Sequence, residues 1–182
     1  MSRIGKLPVQ LPAGVTVTFA DGVLTVKGGK GTLTQEVVGD IDFKVEGSEA
    51  LVLKKTDSPE LDAKHGLYRA LLHNMVVGVT QGYTKSLKVN GVGWKVAKQG
   101  NKVVLNVGFS HPVEFAEPAG ITLNCPTPNE IVVAGIDKNL VGQTAANIRS
   151  IRTPEPYHGY GIAYSDEVIE RKEGKTGGKG KK

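Results

Sequence analysis

Offset by 80 residues, the chain lines up with itself. Ile41 falls on Ile121, Leu51 on Ile131, Leu53 on Val133, Asp57 on Asp137, Leu61 on Val141 and Arg69 on Arg149. Upstream, Val23 meets Val103 and Gly28 meets Gly108. The residue-by-residue likeness is faint, but the order of predicted elements agrees. Such a chain has to build one small unit twice.

Each copy opens on alternating apolar and polar residues. "VTVTFADGVLTVKG" reads as two strands around an Asp21-Gly22 turn, a strong hairpin signal, and "TLTQEVV" and "ALVLKK" continue it. In the second copy "KSLKVNGVGWKVAKQGNKVVLNVGF" has turns at Asn90-Gly91 and Gly100-Asn101, followed by "ITLNC" and "EIVVAG". Each copy closes on a helix. The first is expected to start at Asp57-Ser58-Pro59-Glu60, with an N-cap side chain, a proline in the first turn and a glutamate three residues after Asp57. Its apolar stripe runs Leu61, His65, Tyr68, Leu72, Met75, Val76 and Val79. The second starts at Asp137 with Val141, Thr144, Ala145, Ile148 and Ile151 on the same spacing.

The expected class is therefore α+β: two tandem copies of a small antiparallel β-sheet with one helix packed on one face, plus a basic C-terminal tail. The expected boundaries are 1–82, 83–170 and a flexible tail at 171–182.

Charge divides along the same line. Residues 1–80 hold nine basic and nine acidic side chains, whereas 81–182 hold fourteen and nine and carry the whole net charge of +5. Residues 170–182, ERKEGKTGGKGKK, have six basic and two acidic residues. A polyanion would be gripped from the C-terminal half, with the second unit as the main contact.

Catalytic signals are poor. "KGGKGT" at 27–32 lacks the G-x-x-x-x-G-K-[ST] spacing and sits between strands, so it reads as a hairpin turn. Gly91-Val92-Gly93 reads as turn glycine. His65 and His73 are too far apart on one helix to share a metal, and His65 faces the expected core. Cys125 is the only cysteine, which excludes an internal disulfide, fits a reducing cytoplasm and shows no nucleophile context. The proline-bearing N-terminus, MSRIGKLPVQLP, does not suit a signal peptide, and no stretch approaches membrane-spanning length. No enzyme, cofactor, metal, membrane or small-molecule substrate is expected.

"RTPEPYHGYGIAY", residues 152–164, points elsewhere. Two prolines, two glycines and three of the five tyrosines fall in thirteen positions. Pro154 and Pro156 exclude a helix and a strand interior, which leaves an exposed, stiffened loop. Arg149 and Arg152, three apart on the helix before it, are expected to flank that loop with their heads outside the apolar stripe. Rings that stack on unpaired bases, cations for phosphates and glycines for close backbone approach suit RNA. Equally, Tyr157 and Tyr164 can simply pack over the sheet. The residues alone support a polyanion-binding module, not a particular RNA.

"PEPYHGYGIAY" resembles the signature P-E-P-Y-K-G-K-G-[IV]-[RK]-Y of the bacterial large-subunit ribosomal protein six family. "MSRIGKLPV", "NGVGWKV" and the duplication are similar to that family as well, so the likeness spans essentially the whole chain. It implies a structural protein that binds large-subunit (23S-type) ribosomal RNA near the acidic stalk base, where translational GTPases act, with neighbouring ribosomal proteins as partners. A free RNA-binding regulator is the alternative. The RNA contacts implied are Arg149, Arg152, Pro154, Tyr157, His158, Gly159, Tyr160 and Gly161 in the loop and its flank, and Lys95 in "NGVGWKV". Arg171, Lys172, Lys175, Lys179, Lys181 and Lys182 extend them into the tail. His158, Tyr160 and Ala163 stand where the family usually carries basic residues.

Overall fold

The computed structural model describes residues 3–56 and 58–175. Asp57 and the tail lysines Lys179, Lys181 and Lys182 lie outside them. The chain divides into two units: one of residues up to Tyr83 together with Gly135–Asn139, the other of Thr84–Ala134 together with residues from Leu140 onward.

The first unit holds β1 (Val9–Gln10), β2 (Thr16–Ala20), β3 (Val23–Gly28), β4 (Gly31–Glu36), β5 (Ile41–Glu46), β6 (Glu49–Lys54) and helix α1 (Pro59–Thr80). Its strands form two three-stranded antiparallel sheets, β2-β3-β4 and β1-β6-β5. The Asp21-Gly22 hairpin is as expected. Both residues have positive φ, 51° and 75°, which a two-residue primed turn requires.

The α1 stripe read from the sequence is buried in full, from Leu61 to Val79, with Leu72 and Val79 fully buried. It packs with Leu24, Val26, Ile41 and Val52 of the strands. Each such aliphatic side chain contributes about 1.5–3 kcal/mol when fully buried. The helix starts one residue later than expected: Ser58 is the N-cap, its Oγ accepting from the Leu61 N–H at 3.2 Å, with Pro59 opening the first turn. His65 is 4% exposed, and its Nε2–H donates to the Val52 carbonyl at 2.8 Å. It is a core histidine.

The second unit holds, save for the end residues Tyr83, Gly135, Lys138 and Asn139, β7 (Tyr83–Asn90), β8 (Lys95–Gln99), β9 (Lys102–Asn106), β10 (Val113–Ala116), β11 (Ile121–Thr127), β12 (Glu130–Gly135), helix α2 (Lys138–Ile151) and β13 (Gly161–Tyr164). The order is β10-β9-β8 in one sheet and β11-β12-β7-β13 in the other. The α+β class holds, with the strands of each unit shared between two sheets. Val141, Thr144, Ala145 and Ile148 of α2 are buried as expected, while Ile151 is only half-buried because the helix ends there.

The turn read at Asn90-Gly91 is present, Trp94 N–H donating to Gly91 O at 3.3 Å, but it leads from one sheet to the other, since β7 pairs with β13 and β8 pairs with β9. One sequence reading changes. The stretch 152–164 is not loop throughout. "GIAY" is strand β13, antiparallel to β7 with Ile162 opposite Val89, and Ile162 and Ala163 are buried. Only residues 152–160 form the loop.

Candidate nucleic-acid interface

Pro154, Glu155 and Pro156 break the chain out of α2, and Glu155 shapes the turn after them. Its carboxylate accepts from the backbone N–H groups of Tyr157 at 2.8 Å, His158 at 2.6 Å and Tyr160 at 3.4 Å. The Glu155 N–H donates to Tyr160 O at 3.0 Å, and Gly159 N–H to Glu155 O at 3.1 Å. Burial pushes the Glu155 carboxyl up, but these N–H donors outweigh it and hold its pKa below the usual value. The turn is thus organised by a residue that the sequence reading passed over. A carboxylate just ahead of a turn rich in free N–H groups was the available signal.

The two loop glycines have protein neighbours. Gly161 has φ +153°, and a Cβ there would fall 2.5 Å from Pro154 N and 2.7 Å from the Thr153 carbonyl carbon. Gly159 has φ +74°, and a Cβ would meet the Arg171 guanidinium at 3.3 Å. Asn90 fixes it further, its Nδ2 donating to Gly159 O at 3.1 Å. Lys172 N–H donates to Pro156 O at 2.8 Å, so the start of the tail is tied to this loop.

The rings divide. Tyr157 is 54% exposed, whereas Tyr164 is half-buried beneath Lys85 and Arg149. Tyr160 stacks on His158 with ring centres 5.3 Å apart and planes 16° from parallel. Tyr160 also approaches Trp94 at 6.4 Å. Trp94 is seated by glycine: a Cβ on Gly91 would collide with its ring, and one on Gly108 would lie 3.1 Å from it. Gly91 is therefore a ring seat as well as a bend. Trp94, Phe109, Arg152, Glu155, His158 and Tyr160 line a recess of about 610 Å³.

Arg149 and Arg152 prove unlike. The Arg152 guanidinium lies over the rings of Phe109 at 5.1 Å and Trp94 at 5.8 Å. Among the described residues no acceptor engages its donors. Arg149 instead grips Glu167 with two parallel bonds, Nε to Oε2 at 2.9 Å and Nη2 to Oε1 at 2.5 Å. The Arg149 head is thereby tied to the fold by Glu167, which reaches back from the segment after β13.

Arg149→Ala is accordingly expected to cost about 1–2 kcal/mol of stability, the scale of a charge-assisted, part-buried pair. The hydrogen bond from Arg149 holds the Glu167 carboxyl below its ordinary pKa against the opposing effect of burial. A depressed carboxylate stabilises the fold above its unfolded pKa of about 4.3 and ceases to do so as pH falls through its folded value. The gap between parent and variant should therefore shrink in melts run below about pH 4. A gap that stays constant with pH would contradict the pairing.

Three lysines of this unit are also paired. Lys85 pairs with Asp166, Lys98 with Glu117 and Lys102 with Glu114. Lys88, Lys95, Arg152, Arg171, Lys172 and Lys175 have no ion-pair partner among the described residues. Cys125 is half-buried, and burial pushes its thiol up, away from reactivity.

The comparisons with known proteins agree along the full length. The family model described as Ribosomal protein L6 matches two stretches, residues 11–82 and 90–165. The chain is 56% identical over 182 residues to "Large ribosomal subunit protein uL6" of Carboxydothermus hydrogenoformans, covering all of both chains. It is 55% identical over 183 residues to the protein of that name from Ruminiclostridium cellulolyticum, again covering all of both. With the Streptococcus sanguinis protein of that name it shares 54% over 177 residues, 97% of this chain and 99% of the other. The chain belongs to the ribosomal protein L6 family.

Proposed function

We propose that the chain is a structural, non-catalytic constituent of the large ribosomal subunit, binding 23S-type rRNA mainly through its second unit. Its place is near the stalk base and the site of translational GTPases, in contact with neighbouring ribosomal proteins. The observation that carries the assembly is the full-length match to large-subunit proteins. The geometry supplies the means: a rigid loop at 152–160, exposed rings, and Arg152 with its donors unspent beside them.

Sedimentation tests this reading. The protein should co-migrate with large subunits in high-magnesium gradients at close to one copy per particle. Protein that stays at the top of the gradient, or that travels with RNA away from subunits, would favour a free RNA-binding regulator instead.

A further inference from the structure

We propose that the recess between Trp94, Phe109 and Tyr160 receives a single unpaired nucleotide, its base stacked on the rings and its phosphate on the Arg152 guanidinium. This rests on the RNA-binding reading above and narrows how the second unit would bind. Bases inside an A-form duplex are already stacked and paired, so only an extruded or single-stranded nucleotide can enter such a site.

Three observations converge on that occupant. The recess, at about 610 Å³, lies within the range of about 300–1,000 Å³ typical of small-molecule pockets. Its walls carry aromatic rings partly open to solvent, Phe109 at 42% and Tyr160 at 37% exposed, with His158, also in the lining, stacked on Tyr160. Base–aromatic stacking uses such faces and tolerates any base. The third is Arg152. Its guanidinium lies over two rings, yet its donors reach no acceptor among the described residues. A purely apolar occupant would leave those donors unused, and a simple anion would have no use for the rings. A nucleotide satisfies both.

The walls are also organised before any ligand arrives. Glu155 holds the backbone that carries His158 and Tyr160, and Gly91 and Gly108 seat Trp94. Little ordering is left for binding to supply.

Trp94 is the only tryptophan in the chain, so its emission reports on the recess directly. The full-length protein would be titrated with a labelled short oligoadenylate and with a labelled blunt RNA duplex of equal phosphate count. Label anisotropy measures binding, and Trp94 emission measures contact. The single strand should quench Trp94 at saturation and the duplex should not. Tyr160→Ala should weaken single-strand binding about tenfold or more while leaving duplex affinity unchanged, given about 1–3 kcal/mol per stacked base. Thermal unfolding checks that this variant folds, and if it does not, the emission of the parent protein decides alone. Binding of both RNAs with unchanged emission overturns the single-nucleotide site while leaving RNA binding intact. An equal loss for both RNAs in Tyr160→Ala does the same. If neither RNA binds, the RNA reading fails and takes this inference with it.

Discussion

Gly161→Ala should destabilise the second unit by about 3–5 kcal/mol, enough to lower its melting temperature by roughly 10 °C or more. Two separate effects add. At φ +153° an L side chain is strained, and its Cβ would press on backbone atoms of Thr153 and Pro154, which have no rotamer to move aside. Relief would require Gly161 to leave its register opposite Asn90, and that would unzip the short strand β13 from β7. Gly93→Ala separates the effects. Gly93 has φ +76° but nothing within 4 Å of a built Cβ, so only about 1 kcal/mol of backbone strain is expected there. Thermal melts of the two variants side by side are the measurement. Equal losses would mean that the Pro154 contact carries no weight.

The same geometry bears on how the loop should be probed. Gly159→Val looks from the sequence like a block to RNA approach, yet φ +74° makes any side chain there costly with or without RNA. Reduced binding in that variant would mix misfolding with a blocked approach. Tyr157 and Arg152 are cleaner targets, because Tyr157 is exposed and the Arg152 head makes no hydrogen bond or ion pair within the described fold.

What the sequence disclosed reflects the range of the forces involved. The α1 stripe from Leu61 to Val79 was legible because helical periodicity is local and one face must be buried. The hairpin at Asp21-Gly22 was legible because the turn demands positive φ at both positions. Strand β13 was not, because "GIAY" is four residues long, begins with glycine and comes after two prolines, so it carries the punctuation of a loop. Its strand character comes only from β7, more than seventy residues earlier in the chain. The site divides in the same manner. Arg152, His158 and Tyr160 sit in one motif and were found together. Trp94 and Phe109 complete the recess from the bend before β8 and the segment after β9, and no local pattern announces that meeting. The pairing of Arg149 with Glu167 was hidden for the same reason, since eighteen residues and a loop separate two charges that a helical wheel cannot join.

Deletion of residues 173–182 should reduce affinity for large-subunit rRNA by roughly 10²–10³-fold near 0.1 M salt, and should flatten the log–log salt dependence by about 0.7–0.9 for each phosphate no longer engaged. The segment contains Lys175, Lys179, Lys181 and Lys182 against the single acid Glu173. It adds four lysines to the five cations of the rest of the unit, Lys88, Lys95, Arg152, Arg171 and Lys172, that have no ion-pair partner among the described residues. Lys85, Lys98, Lys102 and Arg149 are committed to acidic partners, and turning any of them toward RNA would first break an ion pair. Pro156 anchors the backbone at Lys172, so the deleted lysines start out from the loop that carries Tyr157 and Tyr160. Their effective concentration at RNA held by that loop is correspondingly high. The measurement is affinity across a salt series for the full-length and shortened proteins. Cutting after Lys172 retains the Pro156 hydrogen bond, so melting temperatures should match. A shortened protein that binds more weakly with an unchanged salt slope would assign the tail a role other than phosphate contact, and unchanged affinity would leave Arg152 and the ring-lined recess to supply the binding without it.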